Sequence, residues 1–230
     1  ARSLNNFRFV QGSLTGLESL ELGLFDYIDC CGVLHHLPDP VAARQTLEHH
    51  LAPHGGMGLM VYAPYGRTGV YMVQDALEKL APLAQSPQER LDVARRVMRT
   101  LPATAWLHQN GNFGDHLSGG DAGLYDLLLN PRDRSYTITG FLALLDQAGL
   151  EPTALMEPAR YDPSLFLPDP RLRARLSTLP WQTQAAIAED LAGNMATHVA
   201  YVVRKHAAPE KPDLLNPEEL PTMRELPGAA

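Results

Sequence analysis

The sequence has few cysteines, few aromatic residues and a deficit of positive charge. Its two cysteines, Cys30 and Cys31, are adjacent, so in an extended segment they point to opposite faces and we expect no disulfide between them. A formal net charge of -7 gives no general attraction for a polyanion such as a nucleic acid. No apolar run reaches the ~20 residues that a membrane-spanning helix needs. We therefore expect a cytoplasmic globular protein whose partners include neither a nucleic acid nor a membrane.

Hydrophobic patterns predict an α/β fold, because short apolar or β-branched runs alternate with segments of helical periodicity. One helix is predicted to begin at Pro40 with Asp39 as its N-cap, and Pro53 and Gly55 favour its end. A later helix is predicted from Ile138, followed by a weaker strand and then a final strand. The predicted strands are 7–10, 25–31, 57–63, 150–156 and 197–204.

Residues 66–134 interrupt this alternation. Two amphipathic helices are predicted there, and the second opens with a capping box formed by Ser86 and Glu89. We interpret the segment as a helical cap inserted into the sheet domain. The predicted division is 1–65 and 135–205 for the sheet domain, 66–134 for the cap and 206–230 for a disordered tail.

Two stretches carry a resemblance to a known family. They are FDYIDCCGVLHHLPDP at 25–40 and ARQTLEHHLAPHGGMGLMVYAP at 43–64. Together they resemble the middle of small-molecule-type class I S-adenosylmethionine-dependent methyltransferases, and FRFVQGSL at 7–14 is similar to the family's preceding strand and adenine-side loop. The resemblance implies a Rossmann-like sheet, S-adenosylmethionine as cofactor, and methyl transfer to an acceptor.

The resemblance also implies a set of cofactor contacts. Ligands of open α/β sheets bind outside the carboxyl ends of the strands. There, Ser13 and the backbone of Leu14 would meet the adenine, although the family usually has an acidic residue in the place of Ser13. Cys31 and Gly32 would line the exit of the second strand, and glycine lets the backbone approach the cofactor closely. His36 would contact the methionine portion or act as the catalytic residue that orients the nucleophile.

Other polar residues are candidates for the acceptor side. Tyr65, Arg67 and Tyr71 follow the strand that ends at Ala63, so we expect them to face the substrate. His116 belongs to the cap and would close over it. The spacing of the histidines matches no common zinc pattern, and we predict no metal site.

The family's glycine-rich loop and its acidic ribose-binding residue have no counterpart before Phe7, so the sheet is expected to be incomplete on that side. We expect the chain to be one part of a longer enzyme and to be inactive alone. Two alternatives stay open. One is a non-catalytic remnant of the fold that binds a protein; the other is a nicotinamide-dependent oxidoreductase, which the FD…VLHHL…GG combination fits less well. The acceptor is a small molecule or a protein, and the sequence does not identify which. It does not identify the oligomeric state either.

Overall fold

A computed structural model describes residues 6–111 and 118–205. His116 and the predicted disordered tail lie outside the described residues. The strands are β1 (Phe25–Cys31), β2 (Leu51–Tyr62), β3 (Leu150–Leu155) and β4 (Thr197–Arg204). The α-helices are α1 (Pro40–His49), α2 (Val70–Leu80), α3 (Pro87–Thr100), α4 (Trp106–Gln109), α5 (Gly120–Leu129), α6 (Ile138–Gln147), α7 (Pro170–Leu176) and α8 (Trp181–Ala192).

The strands form one mixed sheet in the order β1-β2-β4-β3. β1 and β2 are parallel, and α1 connects them. β4 is antiparallel to both of its neighbours. Because β1 and β2 run in the same direction, their carboxyl ends meet at one edge of the sheet, where open α/β sheets bind their ligands.

The predicted strand at 7–10 is wrong. These residues form no strand, and Phe9 is 91% exposed. A short aromatic run becomes a strand only when a neighbouring strand shares its hydrogen bonds, and that partner is set by tertiary structure. Within the described part of the chain, β1 is therefore an edge strand that pairs with β2 alone.

β2 begins six residues earlier than the predicted strand at 57–63. The pairing register shifts between Phe25, opposite Leu51, and Tyr27, opposite Gly56, so the extra residues form a bulge. A side chain at Gly55 would approach the backbone oxygen of Asp26 to 2.9 Å. The residues that the sequence pattern assigned to the end of the first helix thus belong to the bulge in β2. The bulge requires glycine at position 55.

One face of the sheet carries the main core. Cys30, Leu59 and Val202 point from three strands toward helices α1, α6 and α8, where Phe141 and Ala185 meet them. The predicted helix at Ile138 is confirmed, and its N-cap is Thr137, whose side chain accepts a hydrogen bond from Gly140 N–H. The other face is more open because alternate residues such as Tyr27 and Tyr201 are 52% and 44% exposed.

The helices α2 to α5 pack around a second core of their own. Its fully or nearly buried members include Val70, Leu77, Ala94 and Leu128. The predicted capping box of α3 is confirmed: the Glu89 carboxylate accepts from Ser86 N–H at 2.8 Å, and the Ser86 hydroxyl accepts from Glu89 N–H. No α-helix of the described residues is long and apolar enough to cross a membrane.

A buried polar network holds the antiparallel part of the sheet to its helices. His198 on β4 is fully buried, with Nε2 3.0 Å from Glu189 Oε1 and Nδ1 3.0 Å from the Tyr161 hydroxyl. The second oxygen of Glu189 accepts from Ile138 N–H at 2.7 Å and so caps the start of α6. Burial raises the pKa of Tyr161 to about 12. Each buried polar group of this network thus has a partner.

The main core makes a direct stability prediction. Phe141→Ala removes a fully buried ring and should lower the free energy of unfolding by about 3–5 kcal/mol. Phe166→Ala is the matched control, because Phe166 is 44% exposed and its loss should cost less than about 1 kcal/mol. Urea unfolding followed by circular dichroism measures both, and equal losses would contradict the placement of the core.

Candidate functional site

The exit of β1 is the first wall of the candidate site. Gly32 follows the strand with a φ of 76°, in the left-handed region that favours glycine. An added Cβ would meet only the Met60 side chain, at 3.5 Å, so the conformation and not crowding requires glycine there. Cys31 beside it is exposed. Partial desolvation and a hydrogen bond to Asp29 raise the pKa of Cys31 to about 11, which keeps the thiol protonated at neutral pH.

The two adjacent histidines take different positions. His35 is fully buried, and its ring lies 3.8 Å from the ring of Tyr62 at the end of β2. Among the described residues neither ring nitrogen of His35 has a hydrogen-bond partner. Burial, His36 and Arg67 together lower the pKa of His35 to about 3, so it is neutral at pH 7.

His36, the predicted catalytic residue, is only partly buried. Its Nδ1 lies 3.1 Å from the side-chain amide nitrogen of Asn130, which donates to it. In the neutral ring this hydrogen bond places the proton on Nε2. The structure therefore brings His36 to the carboxyl ends of the parallel strands. Its Nδ1 is occupied by Asn130, and the Nε2–H group is left as a hydrogen-bond donor.

A segment between α5 and α6, residues 130–136, crosses the carboxyl ends of both parallel strands. Arg134 N–H donates to the His35 carbonyl at 3.1 Å, and Tyr136 N–H donates to the Tyr62 carbonyl at 2.8 Å. Ser135 forms a parallel bridge with Tyr62. We call residues 130–136 the crossing segment; it joins the cap helices to the site.

Arg67 and Asp133 form a buried ion pair at this junction. The guanidinium Nη2 donates to Asp133 Oδ2 at 2.8 Å, and the two side chains are 2% and 1% exposed. The guanidinium carbon lies 3.8 Å from the centre of the Tyr62 ring, and Nε donates to the Tyr71 hydroxyl. Gln74 also donates to Asp133 Oδ2, at 3.0 Å. Arg67, a predicted substrate contact, is thus enclosed by protein groups, and its contact with substrate stays a prediction.

Tyr65 and Tyr71, the other predicted acceptor residues, lie on different cavities. Tyr65 lines a cavity of about 390 Å³ with Trp106 and Asn194. A hydrogen bond with Asp190 raises the pKa of Tyr65. Tyr71 instead lines a cavity of about 230 Å³ between cap helices. Burial raises the pKa of Tyr71, against the opposing effect of Arg67.

Ser13 and Leu14, the predicted adenine contacts, flank the start of a short 3₁₀ helix at Leu14–Leu20. Leu14 and Leu17 pack against the main core, and Ser13 is exposed. A contact of Ser13 with a cofactor stays a prediction. In the described ranges no three His, Cys, Asp or Glu side chains are grouped so that they could hold a metal ion.

Several residues of the site escape sequence reasoning. Asn130 and Asp133 have no local signal, because each acts on a residue more than sixty positions away. Tyr62 has a weak local signal, because it is a polar aromatic residue at the end of an otherwise apolar strand. The pair His35-His36 gives no indication of which ring is buried.

Comparison with known proteins gives matches both in sequence and in structure. No family model matches the chain. An uncharacterized protein of Synechococcus sp. (strain ATCC 27144 / PCC 6301 / SAUG 1402/1) is 28% identical over 210 residues, which are 90% of this chain and 50% of that protein. The structure of PKMT2 from Rickettsia typhi is 13% identical with a TM-score of 0.57, covering 81% of this chain and 37% of that one. PKMT2 in complex with AdoHcy is also 13% identical, with a TM-score of 0.60 and coverages of 84% and 38%.

The structural likeness establishes the fold. It confirms the fold class predicted from the sequence: the chain has a Rossmann-like α/β fold. The chain spans half the length of the curated relative and less than two fifths of the solved chains. AdoHcy is the demethylated form of S-adenosylmethionine, and its complex is a property of PKMT2.

The buried ion pair makes a testable prediction. Asp133→Ala leaves the Arg67 guanidinium buried without its counter-charge and should lower the free energy of unfolding by about 3–5 kcal/mol. The double variant Arg67→Met with Asp133→Leu should recover most of that loss, because it removes both charges. Asp126→Ala on the exposed side of α5 is the control. Chemical unfolding measures all three, and a loss for Asp133→Ala no larger than for Asp126→Ala would contradict the assignment.

A second prediction concerns pH. The pKa of His35 is about 3 in the folded protein and about 6.5 in the unfolded chain. The unfolded state therefore binds the additional proton between these values, and stability present above about pH 6.5 falls as the pH drops toward 3. His35→Phe keeps an aromatic ring against Tyr62 but has no group that takes up this proton. Between pH 7 and about pH 4.5 the variant should therefore lose about 2 kcal/mol less stability than the parent protein.

Urea unfolding at the two pH values tests this prediction. His49→Phe is the control because the His49 side chain is 66% exposed. It should lose as much stability on acidification as the parent protein. An equal loss for His35→Phe would show that His35 does not carry this dependence.

Proposed function

We propose that the chain is part of an S-adenosylmethionine-dependent methyltransferase and forms the acceptor side of its active site. One observation carries the proposal. The antiparallel β4 lies between β2 and β3, and the parallel β1 ends at a positive-φ glycine beside the site histidines, within a fold that matches an AdoHcy-bound structure.

The residues at the β1 exit fit one part of the cofactor. At Gly32 only the Met60 side chain lies near the place where a Cβ would stand, at 3.5 Å, and the exposed Cys31 lies beside it. His36 offers an N–H donor for the methionine portion of the cofactor. Among the described residues no glycine-rich loop leads from a strand to a helix to hold the rest of the cofactor. We propose that a segment outside the described residues supplies that wall, and that this chain alone is inactive.

When bound, the cofactor would supply an electrophilic methyl group on a sulfonium for transfer to an acceptor atom. The protein's part is alignment of the acceptor and exclusion of water. With its proton on Nε2, His36 has one N–H group to donate, which would contact either the methionine portion of the cofactor or the acceptor. In the second case it would orient the lone pair of the acceptor atom. His35 stays neutral at neutral pH, so its ring adds no positive charge beside His36.

A protein-interaction module is the second candidate. Apolar residues are exposed on the edge strand β1 and just before it: Leu24 is 61% exposed, Phe25 39% and Tyr27 52%. Exposed apolar side chains on an unpaired sheet edge favour binding to another polypeptide. Under this alternative the chain binds a protein partner and no cofactor.

Calorimetric titration with S-adenosylhomocysteine separates the two candidates. The 230-residue chain is titrated beside a longer polypeptide from the same gene, where one is encoded. We expect binding to the longer polypeptide and none, or much weaker binding, to the chain alone. Absence of binding in both would reject the methyltransferase and favour the interaction module.

A pair of glycine variants tests the cofactor wall in the polypeptide that binds. Gly32→Val places a β-branched side chain at a φ of 76° beside the proposed cofactor and should abolish binding. Gly149→Val is the control: it imposes similar strain, at a φ of 66°, at the turn between α6 and β3. Unchanged affinity of Gly32→Val, or equal losses in both variants, would reject the placement of the cofactor at Gly32.

A further inference from the structure

A cavity of about 230 Å³ lies within the cap, where α2 and α5 face each other. Leu128 and Leu129 of α5 contribute apolar side chains to its wall. Tyr71 and Gln74 of α2 and Asp133 of the crossing segment contribute polar groups. The cavity therefore reaches from the cap helices to the ion pair that borders the candidate site.

One wall residue, Asp133, has a buried carboxylate oxygen without a partner among the described residues. The Asp133 side chain is 1% exposed, and its Oδ2 accepts from both Arg67 and Gln74. Its Oδ1 is buried, and within the described residues it has no hydrogen-bond partner. A buried carboxylate oxygen without a donor is unfavourable, so a ligand that donates to Oδ1 gains a hydrogen bond that the protein alone does not make.

Two donor side chains around the cavity, Gln74 and Arg90, have protein partners. Gln74 donates to the Leu127 carbonyl as well as to Asp133. Arg90 is 4% exposed and donates to the Ala81 carbonyl and the Tyr125 hydroxyl. The carboxylate of Glu78 also lines the cavity. This distribution favours a ligand that brings a hydrogen-bond donor and disfavours a carboxylate.

We propose that this cavity binds a small, largely apolar molecule whose amine or hydroxyl group donates a hydrogen bond to Asp133 Oδ1. The two leucines contact its apolar part, and the carboxylates of Asp133 and Glu78 select a donor. If the proposed function holds, the molecule is the methyl acceptor. Only this role rests on the proposed function; the binding itself does not. The Arg67–Asp133 pair then couples the occupied cavity to the ring of Tyr62 at the end of β2.

Three probes with one skeleton test the ligand class: phenethylamine, 2-phenylethanol and phenylacetate. Their binding to the full chain is measured at neutral pH by ligand-observed NMR titration. We expect the amine, the alcohol or both to bind saturably, and phenylacetate to bind at least about tenfold more weakly. Binding of phenylacetate at equal strength, or saturable binding by none of the probes, would overturn the proposal.

Two tryptophan variants test the location without touching the buried pair. Leu83 lines the cavity and is 56% exposed, so Leu83→Trp should narrow its mouth, leave the fold intact and weaken probe binding at least about fivefold. Leu80 is 58% exposed and does not line the cavity, so Leu80→Trp should bind as the parent does. Equal effects of the two variants would place the probes elsewhere and reject the site.

Asp133→Asn tests the contact itself. It removes the carboxylate charge, and we expect the amine to lose at least about tenfold in affinity in protein that circular dichroism shows to be folded. The titration with S-adenosylhomocysteine is independent of these experiments. Probe binding without cofactor binding would leave the cavity assignment standing and reject only the role of its ligand as methyl acceptor.

Discussion

The position of the cap over the sheet depends on the buried ion pair between Arg67 and Asp133. Removing two charges from water is costly, and only close pairing with further hydrogen bonds offsets that cost. Arg67 follows β2, Asp133 belongs to the crossing segment and Gln74 to α2, so the pair joins the two ends of the cap beside the ends of the strands. The ring of Tyr62 under the guanidinium adds a cation–π contact at the strand end. The pair thus fixes where the cap lies relative to the carboxyl ends of β1 and β2.

The same arrangement determines the charge state of the site. His35 is buried against Tyr62 with the positive charge of Arg67 nearby, and both effects favour its neutral form. His36 stays partly exposed, and Asn130 of the crossing segment fixes its ring. One segment therefore supplies both the counter-charge that buries Arg67 and the amide that orients His36. The proposed methyl transfer would use such fixed groups, since alignment of the reacting atoms contributes much of the rate.

Much of the local structure was predictable from local signals. The capping box of α3, the N-cap Thr137 and the strands that begin at Phe25 and Thr197 follow from side chains within a few residues of each other. The fold class was also predictable, through the resemblance carried by residues 25–64. The failures have a common cause: whether residues 7–10 pair, and how far β2 extends toward Leu51, depend on strand partners distant in sequence.

The sequence by itself determined the helices that begin at Pro87 and Ile138, the strands that begin at Phe25 and Thr197, and the glycine and two adjacent histidines after β1. Hydrophobic periodicity and capping act over one or two turns, so they can be read without knowledge of the fold. Only the tertiary structure decided that His35 is buried while His36 is exposed to the site, and that Arg67 pairs with Asp133, sixty-six residues away. It also decided that Tyr65 and Tyr71 line separate cavities. Burial and ion pairing depend on which surfaces meet, and distance along the chain does not specify that.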